Sequence, residues 1–192
     1  IIMSSIGSKA MTEDGGAMYN YAASQGIASP VLTNCAFTNN SAGYGGAMVN
    51  KADYGSVCAP VLTNCTFTNN YALVNGGAMF NWDNISTPVL NNCTFSINSA
   101  GNQGGAIFHQ TGIITLNNCS LNNNTSKNGG GLLVLAGGVL ATDCTFSGNT
   151  AYNNSGAFNI SGNDEASTFT RCTFSNNSLT NNGNSLDRGG AG

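Results

Sequence analysis

Cysteine is the residue type in this chain with the widest chemical repertoire, because a thiolate can attack a substrate, bind a metal or form a disulfide. The 192 residues include seven cysteines. Six of them recur at intervals of 25 to 30 residues, as Cys35, Cys65, Cys93, Cys119, Cys144 and Cys172. The seventh, Cys58, lies outside this series, and we interpret it as a small, half-buried residue rather than a reactive thiol.

The regular spacing decides among these chemistries. Copies stacked one strand spacing apart, about 4.8 Å, would lie within disulfide range. Parallel side chains in register give a poor disulfide torsion, however, and the cysteine count is odd. The sequence also has no Cys-x-x-Cys pair of the kind that zinc sites use. We therefore predict free core thiols and neither a metal nor a cofactor site, with partial bridging and metal binding as the alternatives.

Residues for acid–base chemistry are few and dispersed. His109, the only histidine, occupies a position that three earlier repeats fill with asparagine, which predicts a polar substitution at a corner. The acidic residues that could serve catalysis fall at different repeat positions: Asp53, Asp83, Asp143, Asp164 and Glu165. Calcium binding and acid–base catalysis both need clustered carboxylates. We therefore predict no catalytic residue.

These positions follow an internal repeat of two sequence blocks. The first block is clearest at residues 30–40, 60–70 and 88–98, and weaker copies surround the last three cysteines of the series. The second block, Gly-Gly-Ala followed by an apolar residue, starts 10 or 11 residues after each of the first five cysteines of the series. It begins at Gly45, Gly76, Gly104, Gly129 and Ser155, with a further copy at Gly15 and a last one at Gly189.

A period of this length without helical periodicity predicts a β-solenoid. The first block alternates apolar and polar residues as a strand does, and the Gly-Gly pair would turn the chain into a further strand. We predict an all-β, right-handed parallel β-helix of six to seven coils of 25–30 residues, with three short strands per coil. Residues 1–192 would form one domain. Because no cap is evident, we expect a segment of a longer chain or a subunit that associates end to end.

Stacking the repeats places equivalent residues in columns. An inward aromatic column holds Phe37, Phe67, Phe95, Phe146 and Phe174, with Leu121 in place of a sixth. The asparagine that closes each first block gives a second column: Asn40, Asn70, Asn98, Asn124, Asn149 and Asn177. Stacked amides can bond to one another, and asparagine tolerates the left-handed backbone of tight corners. Asp143 and Arg171 share one column position on consecutive coils, which predicts an ion pair.

The pairing of the two blocks resembles the repeats of polymorphic outer membrane proteins. Their Gly-Gly-Ala-hydrophobic motif matches the second block, and their Phe-x-x-Asn motif matches the segments that start at Phe37, Phe67, Phe95, Phe146 and Phe174. The resemblance covers nearly the whole chain, from Gly15 to Ala191. It implies a parallel β-helix of a large bacterial surface protein with an adhesive role. The membrane barrel segment of that family is not part of this sequence.

Composition excludes several classes of function. Charged residues are only 7% of the chain and the formal net charge is −3, so the sequence lacks the basic stripe of a nucleic-acid binder. No apolar run reaches the length of a membrane span. The alternatives that remain are a binding protein, a structural protein and a β-helix enzyme.

Two outward columns are candidate binding faces. Thr66, Thr68 and Thr94 belong to a Thr-x-Thr/Ser strip that could order water, as ice-binding solenoids do. The residues after the Gly-Gly-Ala blocks form an apolar column that we expect to be partly exposed unless an insertion such as residues 21–29 covers it: Tyr19, Val49, Phe80 and Phe108.

Together these observations predict a non-enzymatic, structural and adhesive β-helix located outside the cell or on a bacterial surface. Its partners would be a cell surface, a glycan or a protein, bound by the strand faces or by the loops at residues 21–29 and 51–59. End-to-end self-association is a further expectation. The alternative function is ice binding through the threonine strip, and a less favoured one is a polysaccharide lyase or hydrolase.

Overall fold

The computed structural model describes residues 2–3, 14–82, 86–162 and 166–180. Within these ranges the chain is all-β, contains no helix, and forms three parallel sheets that stack about six coils. This confirms the predicted β-solenoid. The described residues therefore include no helix that could cross a membrane. The last Gly-Gly-Ala block, which begins at Gly189, lies outside the described residues, and so do three of the five acidic candidates for catalysis: Asp83, Asp164 and Glu165.

The first sheet holds the strands that follow the repeating cysteines, five of which contain a Phe, together with a short strand near the start of the chain. Strands in it pair in parallel and in register, so that Phe67 lies opposite Phe37 and Phe95. Its seven strands are β1 (Ile2–Met3), β4 (Ala36–Thr38), β8 (Thr66–Thr68), β12 (Thr94–Ser96), β15 (Ser120–Asn122), β18 (Thr145–Ser147) and β22 (Thr173–Ser175).

The second sheet contains both the strand after each Gly-Gly-Ala block and the strand before each cysteine. Strands after the blocks are β2 (Met18–Ala22), β6 (Met48–Ala52), β10 (Met79–Trp82), β14 (Ile107–Asn117), β17 (Leu132–Thr142) and β20 (Phe158–Ile160). Strands before the cysteines are β3 (Val31–Thr33), β7 (Val61–Thr63), β11 (Val89–Asn91) and β21 (Thr168–Thr170). In β14 and β17 the two parts form one continuous strand.

Loop length explains these continuous strands. Ten residues separate Asn50 from Val61, whereas five separate the equivalent His109 and Thr115. Five extended residues span the gap between the two parts of the strand and stay within the sheet. Ten residues are too many for this gap, so they leave the sheet as a surface loop.

The third sheet adds strands to those located from the sequence. It consists of short strands that follow the closing asparagines, which the sequence pattern did not indicate: β5 (Ser41–Ala42), β9 (Tyr71–Ala72), β13 (Ser99–Ala100), β16 (Thr125–Asn128), β19 (Thr150–Asn154) and β23 (Ser178–Leu179). Several of these new strands have two residues, too few for an alternating pattern to be recognised.

The core is built from stacked columns. The rings of Phe37 and Phe67 lie 4.5 Å apart at 3°, and those of Phe67 and Phe95 lie 4.6 Å apart at 4°. These side chains are fully buried together with the leucines and cysteines of neighbouring columns. Offset stacks of this kind add to the free energy gained by burying the rings.

A ladder of buried asparagine side chains runs beside the aromatic column. The Nδ2 atom of each residue donates to the Oδ1 atom of the next, with distances of 2.9 to 3.0 Å from Asn40 to Asn177. Each backbone N–H also donates to that Oδ1 atom, as Asn70 does to Asn98 at 3.0 Å. The other Nδ2 hydrogen is donated to a backbone carbonyl of the preceding coil. For Asn98 the acceptor is the carbonyl oxygen of Phe67, at 3.0 Å. Because these amides are satisfied, they lie in the core at little cost.

The residues with left-handed backbone at the corners are not the asparagines of the ladder. The left-handed backbone occurs one residue before each ladder asparagine, for example at Asn39 with a φ of 58°. It also occurs one residue before each of the six repeating cysteines, as at Asn34 with a φ of 55°. Gly45 has a φ of 55°, and a Cβ on Gly46 would lie 2.2 Å from the carbonyl oxygen of Gly77. The Gly-Gly pair is therefore required by conformation at its first residue and by space at its second.

Candidate functional site

Five side chains form an aromatic patch on the outside of the second sheet. We call Tyr19, Tyr21, Tyr44, Lys51 and Trp82 the aromatic face. Four of them project from the adjacent strands β2, β6 and β10, and Tyr44 lies in the turn between β5 and β6. Tyr19 and Tyr21 are 43% and 46% exposed, so their rings are accessible to a ligand.

Lys51 lies at the centre of this face. Its register partners are Tyr21 on one neighbouring strand and Trp82 on the other. The ammonium nitrogen is 5.5 Å from the ring centroid of Tyr21 and 4.7 Å from that of Trp82, which are cation–π distances. No carboxylate of the described residues lies within ion-pair distance of it. The ammonium therefore has N–H groups free to donate to a bound molecule.

The rings form two groups, and Lys51 lies between them. The ring centroids of Tyr19 and Tyr21 are 6.0 Å apart, and those of Tyr44 and Trp82 are 5.5 Å apart. Phe80 lies beneath this group, 5.1 Å from Trp82 and 5.4 Å from Tyr44. Contacts of this kind stabilise the packing of the rings within each group.

Two carboxylates flank the aromatic face. Tyr21 donates its phenolic hydrogen to Asp53 in a short contact, which raises the pKa of Tyr21. Burial, followed by the charges of Asp14 and Asp53, raises the pKa of Tyr19. Burial also raises the pKa of the Asp14 carboxyl, and Lys51 partly offsets this effect. Both tyrosines are consequently neutral at physiological pH, and the face offers hydroxyl, ammonium and carboxylate groups beside its rings.

The apolar column, which we expected to be partly exposed unless an insertion covers it, is buried at three of its four members. Val49 is inaccessible, and Phe80 and Phe108 are each 3% exposed. They form a second apolar cluster with Leu133, and Tyr44 and Trp82 pack against it. Of the predicted column only Tyr19 contributes to an accessible surface.

The residues that cover this column were missed because they belong to other columns. The position of Tyr44 holds Asp14, Asn75 and Gln103 in other coils. An aromatic residue in this otherwise polar column was the feature of the sequence that could have indicated the site. Tyr21 and Lys51 are the first residues of the loops predicted to bind a partner. Trp82 pairs with Lys51 on the next strand. It lies two residues after Phe80, so the two-residue period of a strand places both side chains on the same face.

The threonine strip lies on the outer face of the first sheet. Thr66 is exposed, and Thr68 and Thr94 are half-buried. The hydroxyl of Thr68 lies 3.2 Å from that of Ser96 on the next coil, so the two groups hydrogen-bond along the column. The strip is in register, and its role in binding ice stays a prediction.

The cysteines are free thiols, and six of the seven are buried. In the repeating column each thiol contacts the carbonyl two residues earlier, as Cys93 does with Asn91 at 3.4 Å. Cys58 is fully buried rather than half-buried, and its Sγ atom lies 3.1 Å from the carbonyl oxygen of Ala28. Burial raises the pKa of Cys58 to about 11, so the thiol is protonated and unreactive at neutral pH.

His109 and the predicted ion pair between Asp143 and Arg171 are the remaining residues that the sequence analysis singled out. His109 is fully buried, and its Nε2 atom lies 3.0 Å from the carbonyl oxygen of Gly112. Arg171 donates to both carboxylate oxygens of Asp143, at 2.6 and 2.7 Å, as predicted. Within the described ranges no three His, Cys, Asp or Glu side chains are close enough to hold a metal ion.

Comparison with known proteins places nearly the whole chain in one family. The family model described as "Right handed beta helix region" matches residues 18–191. No curated protein and no solved structure gives a significant match.

Proposed function

The chain belongs to the right-handed β-helix family, and we propose that it is a structural and adhesive protein of the cell surface or the extracellular space, and not an enzyme. The observation that carries the proposal is the aromatic face. Accessible rings around a cation that has no carboxylate partner among the described residues are typical of an interaction surface, since they would otherwise leave apolar area in water. The partner would be a cell surface, a glycan or a protein.

The rest of the molecule supports a mechanical role. The asparagine ladder and the stacked rings continue through successive coils, so each coil packs on the next through both hydrogen bonds and ring contacts. Stability in such a solenoid is a sum of nearest-neighbour interfaces. The column bonds are mostly between uncharged groups, so salt will affect them little. A stalk exposed to a variable medium needs that property.

The described carboxylates support a non-enzymatic reading. Asp53 accepts the hydroxyl of Tyr21, and Asp143 pairs with Arg171. Asp143 lies at least three coils from the other two described carboxylates, Asp14 and Asp53, which flank the aromatic face. Glycoside hydrolysis requires two carboxyl groups that flank one bond at less than about 10 Å, and in the only described pair on one face Asp53 is already bonded to Tyr21.

An adhesion assay with the full chain tests the proposal. Beads coated with the chain are applied to bacterial and mammalian cells and to surfaces that carry glycans or proteins. We expect adhesion that falls when Tyr19 and Tyr21 are both changed to Ala. The matched control changes Tyr71 and Tyr152 to Ala, which are similarly exposed tyrosines on the third sheet. Adhesion to no surface, or equal loss in both variants, would contradict the proposal.

Two further assays separate the rival functions. Thermal hysteresis of the wild-type chain that disappears in Thr68→Tyr would replace adhesion by ice binding. Polysaccharide cleavage that disappears in Asp53→Asn would overturn the non-enzymatic proposal. End-to-end self-association stays a prediction, and sedimentation of the chain over a range of concentrations measures it.

A further inference from the structure

We propose that the aromatic face binds a neutral pyranose chain, a segment of a linear glycan whose sugars carry mainly equatorial hydroxyls. This inference rests on the proposed adhesive function and names the ligand class of the same site. It follows from the chemistry, the spacing, the charge and the size of the face.

The chemistry of the face matches the two surfaces of a pyranose ring. The axial C–H groups of such a sugar form a flat apolar surface with partial positive charge, which packs on the negative face of an aromatic ring. Equatorial hydroxyls project from the rim and need both donors and acceptors. Tyr19, Tyr21 and Trp82 supply rings, Lys51 supplies unengaged donors, and Asp53 and Asp14 supply acceptors.

The spacing of the rings favours an extended chain along the solenoid axis. Tyr21, Lys51 and Trp82 occupy consecutive rungs of the second sheet. Adjacent strands lie about 4.8 Å apart, which puts the Tyr21 and Trp82 positions about 10 Å from each other. One rung is close to the length of a single pyranose residue, so a linear glycan would place successive sugars on successive rungs.

The charge of the face selects against acidic glycans. Among the described residues, Asp14 and Asp53 against Lys51 leave one net negative charge on the face when both carboxyls are ionised. A polyuronate would meet this excess of negative charge. A neutral sugar meets no such repulsion.

The size of the face argues against a protein as the ligand. Side chains of this kind have areas of 150–250 Å² each, and at less than half exposure the five leave roughly 400 Å² accessible. A stable protein interface needs about 800 Å² on each partner. A few sugar residues need less, because each pyranose covers about one aromatic ring.

Titration of the single tryptophan tests the inference directly. Trp82 lies in the face, so its emission reports ligand binding without a label. The full chain is titrated with cellohexaose, xylohexaose and hexagalacturonate. We expect a saturable change in emission with at least one neutral oligosaccharide and weaker binding of hexagalacturonate. Tyr21→Ala and Lys51→Met should each raise the Kd about tenfold, whereas Tyr71→Ala should leave it unchanged.

The outcomes distinguish this inference from the proposed function. If the coated beads adhere to protein surfaces but neither neutral oligosaccharide binds, the glycan inference is overturned and adhesion stands. Tighter binding of hexagalacturonate, or equal loss of binding in Tyr71→Ala, would also overturn it. If the beads adhere to nothing, the proposed function fails first.

Discussion

Asn81 and His109 occupy the same inward column on adjacent coils, and each carries a buried nitrogen without a hydrogen-bond partner among the described residues. The column begins as a second asparagine ladder, in which Asn20 donates to Asn50 at 2.7 Å and Asn50 donates to Asn81 at 2.8 Å. The amide Nδ2 of Asn81 would donate next, to position 109. His109 Nε2 contacts the Gly112 carbonyl and must carry the proton there, which leaves Nδ1 as an acceptor on the side of the ladder.

This arrangement predicts that acid destabilises the fold through His109. Burial lowers the pKa of His109 from 6.5 to about 4. The unfolded state therefore binds a proton between these values while the native state does not, so stability is complete above pH 6.5 and falls as the pH drops toward 4. The free energy of unfolding should decrease by on the order of 2 kcal/mol between pH 7.5 and 5.

Urea unfolding at both pH values measures this effect. The control is His109→Asn, in which the carboxamide accepts from Asn81 Nδ2 and nothing titrates. The variant should lose most of the difference between the two pH values. An unchanged pH dependence in the variant would assign the effect to other groups.

The asparagine ladder predicts a large cost for one interior substitution. Asn98→Ala removes the acceptor of Asn70 Nδ2 and of the Asn70 N–H, and it removes donors to Phe67 and Asn124. Leaving these buried groups unpaired should lower the free energy of unfolding by about 3 kcal/mol. The neighbouring outward substitution Thr94→Ala should cost about 0.5 kcal/mol. Equal costs in denaturant unfolding would show that the ladder contributes nothing beyond ordinary side-chain packing.

Ile97 predicts a stabilising substitution. It holds a φ of 58° in a column where the preceding coils have Asn39 and Asn69, and a β-branched residue is strained in that conformation. The side chain is 57% exposed, so little burial is lost on replacement. Ile97→Asn should raise the free energy of unfolding by about 1 kcal/mol. Ile97→Val keeps the branch and should not; a similar gain in both variants would count against backbone strain.

The cysteines predict a selective pattern of alkylation. Cys172 alone among the seven is half-buried, and burial raises the pKa of Cys65 to about 11. Native protein treated with iodoacetamide should react first at Cys172, and the other thiols should react only after unfolding. Peptide mass spectrometry locates the label. Rapid native labelling of Cys58 or Cys65 would contradict the buried column.

The periodic part of the fold was predictable because stacking repeats a residue's environment. Phe67 and Asn70 each meet their own kind on the coils above and below, so their spacing alone indicated the inward columns. Arg171 and Asp143 were paired by the same reasoning. The candidate site was only partly predictable, because it arises where the repeats differ. Tyr44 replaces a polar residue of its column and covers Phe80 from another coil, a contact that no periodicity contains.

Hydroxyl-radical footprinting of the aromatic side chains tests the central claim most directly. The chain is oxidised alone and when bound to the glycan or surface that captures it, and modification is measured for each tyrosine and for Trp82. We predict that binding protects Tyr19, Tyr21 and Trp82, while the exposed Tyr71 and Tyr152 on the third sheet are modified equally in both states. Protection confined to Tyr71 and Tyr152, or no protection of the aromatic face by any captured partner, would contradict the claim that this face is the binding site.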